Sequence, residues 1–186
     1  MNGALGLYIY LTLVISKVVE DFMNEKDLKQ AILSVIDTNQ YGGIDKSSAS
    51  LALISMIHQW SKSTHGSVVS VRAILFDFRK AFDLVDHNIL INKQNRINIK
   101  PSVFNWIVNF ITDRQERTKI ANNSFSQWRY VPVGVPQGSK FGPWLFLLMI
   151  NNLNAINPSL NLWKFIDDTS LSEAVSKMSL SLINQW

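Results

Sequence analysis

Two short apolar runs, each closed by carboxylates, constrain this chain more than any other feature. The first, VVSVRAILFDF at 68–78, is β-branched and apolar with a single Arg and ends on Asp77. The second, LNLWKFIDD, ends on the adjacent pair Asp167 and Asp168. Runs of this length and composition read as strands, and the first is apolar enough to predict a central strand buried on both faces. Pairing the two strands would bring three carboxylates to one edge of a sheet.

Like charges at close range raise one another's pKa or require a counter-charge, and hard divalent cations with oxygen ligands supply one. Magnesium needs few protein carboxylates, because substrate phosphates complete its octahedron. Two such ions a few ångströms apart activate an attacking hydroxyl and stabilise a leaving pyrophosphate. Taken singly, the residues have plainer readings. An Asp-Asp pair serves as a turn or a helix cap, Asp77 as an N-cap, and Asp83, Asp86 and His87 as a solvated helix start as readily as a metal cluster.

The 186 residues, 47% hydrophobic and 17% charged, suffice for one domain with a real core. A formal charge of +4 suits a phosphate-bearing partner without requiring one. The absence of cysteine excludes a disulfide framework and a thiolate metal site, and points to an intracellular protein. The apolar run at 4–16 is shorter than the roughly 18 residues of a membrane span and lacks the basic flank of a leader. It reads as a buried segment or as one outside the domain, and no membrane partner is expected.

Helical spacing covers 26–36, a loop rich in Asp, Asn and Gly covers 37–45, and a Ser-capped helix is predicted from about Ser48 to the HG at 65–66. KAFDLVDHNILINK reads as a turn followed by a helix, and Pro101 as the first residue of another. RTKIA and QWRYVPV, joined by NNS, predict a hairpin. An apolar helix should follow GVPQGSKFGP, and LSEAVSKMSLSLINQW should form a closing amphipathic helix. The class is α+β with a largely antiparallel sheet. The Gly- and Pro-rich GVPQGSKFGP can bring backbone N–H groups and Gln137 close to a base pair or phosphate, with Ser139 capping the next helix.

In this order and spacing, FDFRKAFDLVDHNIL, WIVNFITDRQERTKI, GVPQGSKFGPWLFLLMINNL and KFIDDTSL resemble the reverse transcriptase domain of non-LTR (LINE-like) retrotransposons. QYGGIDKSSASLAL at 40–53 resembles the fingers segment of that family. The resemblance spans residues 12–186, leaving 1–11 of doubtful membership, and implies a polymerase-type palm with partial fingers. It implies that Asp77, Asp167 and Asp168 bind Mg²⁺ or Mn²⁺ and are catalytic, with Phe165 in the aromatic position and Phe78 lending its carbonyl to a metal. Lys80 and Ala81 would offer N–H groups to a dNTP triphosphate, Phe82 would lie under the sugar as a gate against a 2′-hydroxyl, and Gln137 and Gly138 would line the templating pair. The partners implied are an RNA template and a DNA primer; access to chromosomal DNA implies the nucleus.

The departures are specific. YIYLTLVISK lacks the family's Arg-Pro, only Lys46 follows the QYGG segment as a basic residue, and Gln94 puts an amide where relatives carry Leu in the core. The family's next palm motif and its thumb are not found before Trp186. Weak or no polymerisation is therefore expected of this chain alone. A non-catalytic remnant that at most binds nucleic acid, and another two-metal palm enzyme such as a nucleotidyl cyclase, are the alternatives. GVPQGS disfavours the cyclase.

Overall fold

A computed structural model describes residues 14–64, 68–121 and 124–176. The described residues fall into two compact units, one built from 14–35 and 80–149, the other from 36–79 and 150–176.

The first unit is mainly helical. Its chain enters as α1 (Val14–Met23), loosens into a π-helical turn over Asn24–Leu28 and tightens again into α2 (Lys29–Leu33). The helix thus begins well before the predicted residue 26. Helix α4 (His87–Gln94) starts where the Asp86 carboxylate accepts the Ile89 N–H at 3.0 Å, and α5 (Pro101–Ile111) starts on Pro101 as expected. Val103, Ile107 and Ile111 recur at helical spacing and are all buried, so α5 presents one apolar stripe to the core. Helix α6 (Phe141–Ile150) is apolar nearly all round and buried nearly all round, as a central helix must be. Ser139 caps it, accepting the Gly142 N–H at 3.0 Å. Trp106 and Phe110 of α5 close over Phe141, with ring centroids 5.0 and 5.6 Å from it.

The predicted hairpin is present but pairs differently. Strand β2 (Arg114–Glu116) pairs with β5 (Arg129–Val131), and β3 (Lys119–Ala121) pairs with β4 (Ser124–Phe125). RTKIA therefore takes Ser124 and Phe125 as its partners, while QWRYVPV pairs with the segment before RTKIA. Asn122 and Asn123 of the expected turn lie outside the described residues.

The second unit is a three-stranded antiparallel sheet in the order β1–β7–β6, from β1 (Val68–Asp77), β6 (Leu160–Phe165) and β7 (Asp168–Ser176), with α3 (Ala49–Ser63) beside it. Ser48 caps α3 through the Leu51 N–H, at 3.2 Å. Two indoles pin α3 to the sheet: Trp60 Nε1 donates to Ser172 Oγ at 2.9 Å, and Trp163 Nε1 donates to Ser55 Oγ at 3.1 Å. The buried face of α3 is Ala52 and Met56, whereas Leu51, Ile54 and Ile57, apolar and at helical spacing, face outward. Leu160, Leu162 and Leu171 form the sheet's apolar cluster, with Ile74 packed against it.

Two elements differ from what the sequence predicts. Strand β1 is the edge of the described sheet, not its centre, and Leu75 is 80% exposed. An apolar run reports a preference for burial but not which surface will cover it. The segment from Leu171, predicted as helix, is strand through Ser176; the remainder of that prediction, 177–186, lies outside the described residues, as do 65–67 where α3 was expected to stop. Strand β7 has partners on both sides, β1 and β6, and ladder hydrogen bonds on two edges outweigh a weak helical propensity.

Candidate active site

The carboxylates meet through the register of the sheet. Asp77, last in β1, is the direct partner of Asp168, first in β7, and Asp168 in turn faces Phe165 at the end of β6. Ile166 and Asp167 form the two-residue turn of the β6–β7 hairpin. The dyad is therefore both the turn of its plainer reading and half of a carboxylate rim. The strand that brings Asp77 to it is the one after the pair, not the one before. Asp77 and Asp168 are exposed and Asp167 is half-buried. The backbone gathers the three residues at one sheet end, yet among the described residues no three His, Cys, Asp or Glu side chains converge closely enough to chelate one ion. Carboxylate oxygens, with the carbonyl of Phe78 next to Asp77 in the chain, are donors that would fit a hard divalent cation and no soft one.

The turn is held under strain. Ile166 has a φ of +56°, a conformation that β-branched residues rarely adopt. Loop 37–43 presses on it from the side. A Cβ on Gly42 would stand 2.5 Å from the Ile166 nitrogen and 2.8 Å from the Phe165 carbonyl carbon, so only glycine fits there. The loop is tied to β6 by the Tyr41 N–H donating to the Lys164 carbonyl at 2.7 Å and the Lys164 N–H donating to the Asn39 carbonyl at 2.8 Å. Lys164 itself is fully buried, and its ammonium spends its three protons on Asp37 Oδ2 at 2.7 Å, the Leu153 carbonyl at 3.0 Å and the Asn151 carbonyl at 3.3 Å. Nothing in the spacing of WKFIDD signalled a buried cation; alternation along the strand was the only available hint.

In the first unit, two motifs read separately in the sequence form one structure. The turn over 80–86 begins at Lys80, whose φ of +52° is left-handed, and its carbonyl accepts the N–H groups of Asp83 and Leu84. The Gly134 N–H donates to the Val85 carbonyl at 2.7 Å and the Val135 N–H to the Phe82 carbonyl at 2.8 Å. Gln137 Nε2 donates to Asp83 Oδ1 at 2.9 Å. The Gly134 carbonyl accepts from both buried His87, through Nε2 at 2.7 Å, and Arg114, through Nη2 at 3.1 Å. Asp83, Asp86 and His87 are thus a turn, a helix cap and a loop anchor, each with its own partner.

Gly134, at φ +88°, lies so close to the turn that a Cβ would be 2.6 Å from the Asp83 carbonyl oxygen. Together Lys80, Asp83, Arg114, Glu116, Gly134 and Gln137 line a cleft of about 250 Å³. The ring of Phe82 is fixed against Phe146, centroids 4.8 Å apart, while Ala81 beside it is half-buried. Gly138, at φ +76°, is exposed, with no atom within 4 Å of where a Cβ would stand. Sequence reasoning found the glycines and Gln137 but missed His87 and Arg114 as anchors, since neither shows its acceptor until the loop has folded.

An antiparallel sheet that sets Asp77 across from an Asp-Asp hairpin, together with a Gly-rich loop locked to the turn after the first motif, defines a polymerase palm with fingers. The sequence profile of the reverse transcriptase (RNA-dependent DNA polymerase) family matches residues 8–179, and the chain belongs to that family. It is 33% identical over 85 residues, 46% of its length, to a probable RNA-directed DNA polymerase from transposon BS of Drosophila melanogaster, of which it spans 9%. The fold is similar to telomerase from Candida tropicalis in complex with a fragment of telomeric RNA, with a TM-score of 0.60, 12% identity and 88% of this chain covered. Telomerase from Candida albicans, in a comparable complex, gives 0.56, 12% and 92%. The chain spans 32% and 30% of those two chains. Among the described residues no helix is long and apolar enough to cross a membrane.

Proposed function

We propose that this chain is the fingers and palm portion of an RNA-directed DNA polymerase of a non-LTR retrotransposon. Its reaction would be attack of a primer 3′-hydroxyl on the α-phosphate of a dNTP, with pyrophosphate leaving. The observation that supports this most is the pairing of Asp77 with Asp168 beside the Ile166–Asp167 turn. Asp77, Asp167 and Asp168, with the Phe78 carbonyl, would hold Mg²⁺ or Mn²⁺, which when bound activates the hydroxyl and neutralises charge on the departing phosphates.

The remaining roles belong to the chain's own groups. The left-handed Lys80 turns its backbone so that it and Ala81 can present N–H groups to the triphosphate. Phe82, held by Phe146, keeps a flat ring under the sugar, where a 2′-hydroxyl would collide with it. Gln137 and Gly138 sit on the loop that would meet the templating base, and Gly138 leaves room for close approach. Sequence would be read by base pairing between an RNA template and the growing DNA, with the protein reading shape alone.

Primer extension on an RNA template with Mg²⁺ or Mn²⁺ tests the reading, with Asp167→Asn as control. Extension by the parent and none by the variant supports it. Equal, near-zero signals from both would reject it for this chain and leave the non-catalytic reading.

A further inference from the structure

The ribbon built from β2 to β5 has a face that the cleft does not use. Side chains alternate along a strand, and Arg114, Glu116 and Val131 turn inward to line the cleft. Gln115 and its partner Tyr130 therefore point the other way, and just past the paired residues Arg117 and Trp128 are both exposed and in contact with each other. Phe125 joins them: the Arg117 guanidinium lies 4.1 Å from the Phe125 ring centroid and 4.5 Å from that of Trp128. Lys119, also exposed, is the cross-strand partner of Phe125.

Three large rings stay in water here, Phe125 at 45%, Trp128 at 57% and Tyr130 at 58% exposure. Their apolar surface would normally be buried, and the Arg117 cation stands between two of them. Glu116 is engaged by Arg114 at 3.4 Å on the inner side, so the outer charge is basic. Lysine is depleted at protein-protein interfaces, and Lys119 stands beside Phe125 in this cluster, which argues against that occupant. A duplex hides its base faces. A single strand offers both partners this surface asks for, flat bases for the rings and phosphates for the cations. Trp128, directly before β5, and Tyr130 within it are two residues apart in sequence, a spacing of up to about 7 Å in extended chain, room for one base on each.

We propose that the outer face of this ribbon binds single-stranded nucleic acid, with bases stacked on Trp128, Tyr130 and Phe125 and phosphates on Arg117 and Lys119. The site goes beyond the polymerase reading, since it needs none of the carboxylates and would bind in a chain that never polymerised.

The test is fluorescence anisotropy of the full 186-residue chain with fluorescein-labelled oligouridine and oligothymidine of about 12 nucleotides, at two salt concentrations. Trp128→Ala should weaken binding roughly tenfold or more, and Trp128→Phe, which keeps a stacking ring, should restore most of it. Arg117→Ala should flatten the salt dependence by about one counterion. Tighter binding of oligouridine would mark RNA as the source, tighter binding of oligothymidine DNA, and either supports the site. Binding that neither Trp128→Ala nor Arg117→Ala weakens, or no binding by the parent, would overturn it. So would a dimer in sedimentation that Trp128→Ala dissolves without any loss of oligonucleotide binding. Strand binding without extension would reject the polymerase alone; extension with binding unmoved by Trp128→Ala would reject the ribbon alone.

Discussion

Gln94 offers the cleanest test of the physical reasoning. It lies on the inner face of α4 with His87 and Leu90, is 1% exposed, and neither its Oε1 nor its Nε2 has a hydrogen-bond partner. A buried amide without partners loses its hydration and recovers nothing, a penalty of about 1–3 kcal/mol on protein mutational scales. Leucine has nearly the same volume and no polar atoms, so Gln94→Leu should raise stability by roughly that amount. In a domain of this size each kcal/mol moves Tm by about 2–4 °C, well within reach of calorimetry or urea titration. Gln94→Glu should act in the opposite sense and depend on pH. Burial would raise its folded carboxyl pKa above the unfolded value of about 4.3, so its cost should be small in acid and grow as pH rises through and beyond that value. If Gln94→Leu is neutral or destabilising, the amide has partners in solution and the reasoning fails.

The other predictions concern the parts that hold the site. Lys164→Met keeps the buried stem but leaves Asp37 without its cation, and should cost about 3–5 kcal/mol in urea unfolding; a loss under about 1 kcal/mol would refute the buried pair. Adding Asp37→Asn to it should restore part of the loss, since the stranded carboxylate is then gone. Gly42→Ala must displace the backbone of the Asp-Asp turn and should cut primer extension at least about tenfold, because small misplacements of reacting groups are costly; unchanged extension would show that the loop does not position the turn. Gly134→Ala combines a left-handed φ with a clash on Asp83, and a loss of about 2–4 kcal/mol is expected by calorimetry.

Much of this protein was legible before folding. The carboxylates at strand ends, the Ser48 and Ser139 caps, Pro101 at a helix start, the Asp-Asp turn and the misplaced Gln94 all rest on local chemistry: a hydroxyl reaching an N–H a few residues on, a ring that fixes φ, an apolar period of two or four. Local preferences act within a turn or two of chain, and sequence reports them directly.

Tertiary structure decided the rest. That β1 lies at an edge, that the chain after Leu171 is strand and not helix, that Asp77 faces Asp168 across β7 and that RTKIA chooses Ser124 and Phe125 all depend on which partner is nearby when several would serve. The same holds for Lys164, a residue whose charge predicts solvent and whose three buried acceptors are supplied by Asp37, Asn151 and Leu153 from elsewhere in the chain. Hydrogen bonds of the Gly134 carbonyl to His87 and Arg114 join groups far apart in sequence, so their geometry exists only once the loop has closed on its turn. The residue types that chemistry needs are written locally, and the distances at which they meet are set by pairing and packing.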